Sequence, residues 1–87
     1  MNPITEIQKL QNYLSVRDFK KVINKSEELI KKFPNNPFLF NILGLALHGI
    51  GKNLVAIDKY KKALDLDANF LPALNNLANS YKSIGNF

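Results

Sequence analysis

The chain has 87 residues, a formal net charge of +5, and no cysteine. That length suits one small domain, and the missing cysteines exclude a disulfide framework or a thiolate metal site. Lysine supplies nearly all of the cations and Arg17 is the only arginine, so the basic balance argues only weakly for nucleic acid, whose readers favour the guanidinium fork.

The N-terminal stretch MNPITEIQKL lacks the basic and apolar blocks of a signal peptide. No run approaches the roughly 20 apolar residues of a membrane span. A cytoplasmic protein is expected. Residues 4–15 carry Ile4, Ile7, Leu10, Tyr13 and Leu14 at helical spacing, with Pro3 suited to the first turn. Ser15 to Asp18 makes a turn, and Asp18 is placed to cap the next helix. Residues 19–32 set Phe19, Val22, Ile23, Ser26, Leu29 and Ile30 against an opposite face rich in lysine and glutamate. Pro34 ends that helix and Pro37 opens another, the most apolar of the chain, over 37–50. Gly51 suits a left-handed C-terminal cap, and Asn53 is expected to cap a helix over 54–66. A fifth helix is expected over 71–84, with Gly85 falling where Gly51 fell. Connections this short make neighbouring helices antiparallel.

A shift of 34 residues aligns the chain with itself. Asn41 meets Asn75, Leu43 meets Leu77, Gly44 meets Ala78, Ile50 meets Ile84 and Gly51 meets Gly85. Backwards, Ile57 meets Ile23 and Leu64 meets Ile30. A fixed period of this size marks a stacked repeat, each unit too small to cover its own apolar face.

With Pro37 as the first position of the unit, Phe40, Leu43, Gly44, Leu47, Ala56, Tyr60 and Ala63 fall in a pattern that resembles the tetratricopeptide repeat family. The resemblance implies an all-α, right-handed superhelix, or solenoid, of about two and a half helix-turn-helix units. Residues 3–36 form a degenerate first unit, with Lys9 and Leu10 in place of the Leu-Gly pair; 37–70 form the second; 71–87 hold the first helix of a third. It further implies a non-catalytic interaction module, in which the first helix of each unit lines a concave groove for a peptide or a partner helix. The groove-facing residues of that scheme include Phe38, Asn41, Leu45, His48, Asn75, Asn79 and Lys82. In the first unit the same slots hold Ile4, Ile7, Gln11 and Leu14, which lack the Lys and Asn of the family's carboxylate clamp. The third unit, LPALNNLANSYKSIGNF, is similar to repeats of O-linked sugar transferases, whose asparagine ladder binds peptide backbone. Asn76 matches the ladder, but Ile42 and Gln8 hold its other positions, leaving a short amide strip of Asn41, Asn75 and Asn79 or ordinary surface residues.

Chemistry is absent from the residue patterns. His48 is the sole histidine, with no carboxylate within a turn. The GIGK run at Gly49–Lys52 sits between two helices rather than after a strand, so it is no phosphate loop. No metal, no cofactor and no enzymatic activity are expected. The lysines gather on the second helices as a solvated face or a phosphate-binding patch. The sequence stops where the second helix of the third unit would begin, leaving Leu74, Ala78, Tyr81 and Phe87 without an expected partner. Two readings follow. The chain is the N-terminal structural part of a longer protein, enzymatic or not, and, compatibly with that, it self-associates as a homodimer through its last helix.

Overall fold

The computed structural model describes residues 2–85 and is all-α, with five helices and no strand among those residues. They are α1 (Pro3–Ser15), α2 (Phe19–Lys32), α3 (Pro37–Gly49), α4 (Asn53–Leu66) and α5 (Leu71–Ser83). None is long and apolar enough to cross a membrane.

Local chemistry sets most of the boundaries. Asn2 accepts a hydrogen bond from the Ile4 amide at 2.9 Å, and Asn36 accepts one from the Phe38 amide at 3.0 Å, each just before a helix-opening proline. Asp18 caps α2 through the Lys21 amide at 3.4 Å. Asn53 does not cap α4. Lys52 occupies the cap position without a side-chain bond, Asn53 is the first helical residue, and its buried Oδ1 has no partner. Gly51 takes φ +85°, the left-handed value its position requires, and Gly85 takes +72°. Arg17 holds the same register position at φ +61°. Its guanidinium lies 5.2 Å from the centre of the Phe19 ring, a contact that helps offset the conformational cost.

Each helix packs on the next. In addition the α1 backbone comes close to α3 and that of α3 to α5, whereas the backbones of α2 and α4 stay apart. The odd helices therefore crowd along one side, which becomes the inner side of any bend in the row. One core, built on Ile7, Leu10, Val22, Leu29, Leu39 and Ile42, joins α1, α2 and α3. A second, built on Leu43, Leu47, Ala56, Tyr60, Ala63, Phe70 and Ala73, joins α3, α4 and α5. Ile23 and Ile30 of α2 pack against both, so the two cores are continuous, as in a helical repeat.

Tyr60 centres the second core. Its ring lies against Gly44, where an added Cβ would come within 2.4 Å of Cε1. At the same register positions of the first helix pair stand Leu10 and Ser26, both fully buried. The large and small partners have exchanged sides at nearly constant summed volume, which close packing demands.

Candidate functional site

The odd-helix face carries the residues that the sequence assigns to a groove. Each odd helix presents a stripe at i, i+3, i+7 and i+10: Ile4, Ile7, Gln11 and Leu14; Phe38, Asn41, Leu45 and His48; Pro72, Asn75, Asn79 and Lys82. The structure treats the three stripes differently. On α1 and α3 the neighbouring odd helix covers part of the stripe, so Ile7 and Asn41 are buried and Leu14, Leu45 and His48 half-buried. On α5 all four residues are exposed.

Phe38 is 48% exposed, and its ring meets Phe70 edge-on, 4.8 Å between centres at 82°. That geometry fixes the ring while leaving a face open. Beside it a shallow cleft of about 500 Å³ runs over Phe33, Pro34, Asn35, Asn36 and Pro37.

Asn41, only 6% exposed, sits in the seam between α3 and α5 rather than on open surface. Its Oδ1 accepts a hydrogen bond from Asn76 Nδ2 at 2.9 Å. The amide that joins Asn41 is thus Asn76, while Asn75 and Asn79 point elsewhere and stay exposed. A second polar tie crosses the same seam. His48 Nδ1 lies 3.4 Å from Oγ of Ser80, which is fully buried and also hydrogen-bonded to Tyr60.

The other odd seam, between α1 and α3, shows what these ties replace. Stepping back one period, Asn41 and Asn76 become Ile7 and Ile42, while His48 and Ser80 become Leu14 and Ala46. One seam is wholly apolar and the other is laced with amide, hydroxyl and imidazole groups on the same backbone plan. Sequence reasoning singled out Asn41 and His48, gave the amide strip to Asn75 and Asn79 rather than to Asn76, and missed Ser80. The available signal was its 34-residue alignment with a core alanine, a polar residue in an apolar slot.

Burial pushes the Tyr60 phenol up to about 12, against a smaller opposing pull from the Ser80 hydrogen bond. The folded chain therefore keeps a proton that the unfolded chain releases above pH 10. Stability from this group is full below pH 10 and falls above it, by up to about 1.4 kcal/mol per pH unit. Urea titrations from pH 9 to 11.5 should show that alkaline loss, and Tyr60→Phe should remove its Tyr60 share.

Among the described residues no three His, Cys, Asp or Glu side chains gather as a metal site. The cations lie chiefly on the opposite side, exposed on α2 at Lys20, Lys21 and Lys25 and on α4 at Lys61 and Lys62. Of the residues assigned to the uncovered last helix, Leu74 is 41% exposed, Ala78 is exposed, and Tyr81 is half-buried with the Lys61 ammonium 6.0 Å from its ring centre. Phe87 lies outside the described residues.

No protein-family model matches the chain. Over 70 residues, 80% of its length, it is 37% identical to the peroxisomal targeting signal receptor of Saccharomyces cerevisiae. The chain spans 11% of that protein's length.

Proposed function

We propose that the chain is a non-catalytic, tetratricopeptide-like interaction module of units 3–36, 37–70 and 71–87, and that it binds an extended peptide along the odd-helix face. The observation that carries this reading is the polar seam between α3 and α5. A stack built for stability alone would repeat the Ile7 and Ile42 solution at Asn41 and Asn76. An amide pair that uses one donor and one acceptor on itself still keeps a donor and an acceptor, the two groups that an extended backbone satisfies. Phe38 and Leu45 flank the seam with apolar surface for a side chain, and exposed Asn75, Asn79 and Lys82 extend the polar strip onto α5. Similarity to a protein named for receiving a targeting signal supports a peptide or protein partner.

Selection of binders from a displayed peptide library tests the reading. Phe38→Ala and Asn79→Ala, both at exposed positions, should each weaken a selected peptide about tenfold, a loss of about 1.4 kcal/mol. Lys62→Ala on the lysine face should leave binding unchanged. Peptides whose affinity follows Lys62 instead would overturn the assignment.

A second reading, self-association through α5, is favoured by the exposure of Leu74 and Ala78. Their counterparts on α3, Phe40 and Gly44, are half-buried and buried against α4.

A further inference from the structure

The α1–α2 and α3–α4 turns share one end of the stack, and the α2–α3 and α4–α5 connections share the other, because consecutive helices run antiparallel. The two turns are closed alike. Arg17 and Gly51 take left-handed φ, and the amides of Asp18 and Lys52 bond five residues back to the carbonyls of Tyr13 and Leu47, each at 2.9 Å. The Phe19 ring fills the space beside Gly49, which ties the first turn to the end of α3.

This braced edge holds apolar tips outward. Val16 and Ile50, one period apart, each close an odd helix and are 73% and 46% exposed; Leu54, in the first turn of α4, is 72% exposed. Each turn is followed by another helix, so this exposure is not that of a bare last element. Around the tips stand Arg17, Lys20, Lys21 and Lys52, all exposed, and Asp18 is the one acid in residues 12–22 and 46–56. Asp18 caps α2 and lies 3.8 Å from Lys21 Nζ. Among the described residues no carboxylate pairs with Arg17, Lys20 or Lys52. The opposite end also exposes Ile4, Leu66 and Leu71, but there Lys31, Lys32, Lys61 and Lys62 are balanced by Glu27, Glu28, Asp65 and Asp67.

Folding does not explain these choices. Lys20, Lys21 and Lys52 stand at helix N-termini, where their own helix dipoles disfavour cations, and neither first turn carries an acid. Arg17 takes a backbone conformation that suits glycine, which the next unit supplies at the same position. The three exposed aliphatic side chains belong to neither core.

Apolar tips among unpaired cations match one class of partner. An anionic bilayer takes aliphatic groups into its interface and attracts basic residues to its surface. A nucleic acid would use the cations and leave the tips in water, and its readers favour arginine and stacking aromatics. The edge has one arginine, and its aromatics, Tyr13 and Phe19, are half-buried beneath Lys21 and Arg17. We propose that this end of the stack docks on an anionic lipid surface, with Val16, Ile50 and Leu54 entering the interface and Arg17, Lys20 and Lys52 on the head groups. No helix crosses the bilayer in this contact; only side chains of the turns enter it. The odd-helix face stays open in that pose.

Vesicles of phosphatidylcholine with about 30% phosphatidylserine are the probe, with pure phosphatidylcholine as control. The chain should sediment with the anionic vesicles alone at about 0.1 M salt and leave them at about 0.5 M. Val16→Ser with Leu54→Ser should weaken binding at least about tenfold with every charge kept. Lys20→Ala with Lys52→Ala should weaken it roughly 30-fold. The equal charge change Lys31→Ala with Lys62→Ala, about 15 Å away along the helices and beyond the screening length, should leave it unchanged. All six positions are exposed, so the helical circular dichroism should not change. Because the chain has no tryptophan, Leu54→Trp reports depth: its emission should shift to the blue on anionic vesicles, and that of Leu66→Trp at the other end should not. Absence of sedimentation at low salt would overturn the assignment. So would equal losses from the two lysine pairs, which would mean attraction to total charge. Lysine dependence without any effect of Val16→Ser and Leu54→Ser, together with binding of a single-stranded oligonucleotide, would replace the lipid by a nucleic acid.

Discussion

Gly44→Leu is expected to destabilise the chain by about 3 kcal/mol, the upper range for overpacking a core. The added side chain starts where the Tyr60 ring already lies, and Tyr60 is only 1% exposed, with its hydroxyl held by Ser80. The ring has nowhere to go. Tyr60→Ser alone removes the largest buried side chain and should cost about 3–5 kcal/mol, as aromatic deletions in cores do. Either change is a large fraction of the stability of a small domain. The double variant, Gly44→Leu with Tyr60→Ser, imports the pair that the chain already uses at Leu10 and Ser26. It should recover most of the loss, giving a favourable coupling of about 2–3 kcal/mol in urea denaturation followed by circular dichroism. Strict additivity of the two single changes would show that these positions do not exchange volume across the helix pair.

That exchange explains why the first repeat looks degenerate in the sequence. A Leu-Gly pattern fails at Lys9 and Leu10, yet the fold is kept because Ser26 stands where Tyr60 stands in the second repeat. The five helices were legible because the apolar spacing, the prolines at Pro3, Pro37 and Pro72, and the left-handed glycines all act locally. The cap assigned to Asn53 failed because the turn after Gly51 ends one residue earlier than its side chain suggests. The candidate face was legible in outline only. Spacing places Asn41 and Asn75 on equivalent stripes, but it does not show that the next odd helix buries the first and that nothing in the described chain covers the second. Nor does spacing reveal that Asn76, an isolated match to the ladder, and Ser80, which was not singled out, close hydrogen bonds more than 30 residues away. Such contacts depend on how closely α3 and α5 approach, a property of the whole stack.

Substituting isoleucine for both Asn41 and Asn76 should separate stability from function. Asn41→Ile alone leaves the Asn76 amide half-buried without its acceptor, and Asn76→Ile alone leaves the buried Asn41 carbonyl unpaired. Each single change is expected to cost about 1–3 kcal/mol. The double change recreates the Ile7 and Ile42 seam, where both residues are buried in the first core. With no polar group left stranded, the double variant should equal or exceed the parent chain in stability, since a satisfied buried polar pair often gains little over a well-packed apolar one. Its binding to a selected peptide should nevertheless fall by about 100-fold or more, close to 2.8 kcal/mol, because two backbone hydrogen bonds lose their partners at once. Thermal melts and peptide titrations on the same four proteins decide the matter. If the double variant binds as the parent does, the amides serve only to fix the register of α5 on α3. If it is both more stable and unable to bind, the two asparagines stand in an apolar slot because the peptide needs them there, and the chain gives up part of its stability for the site.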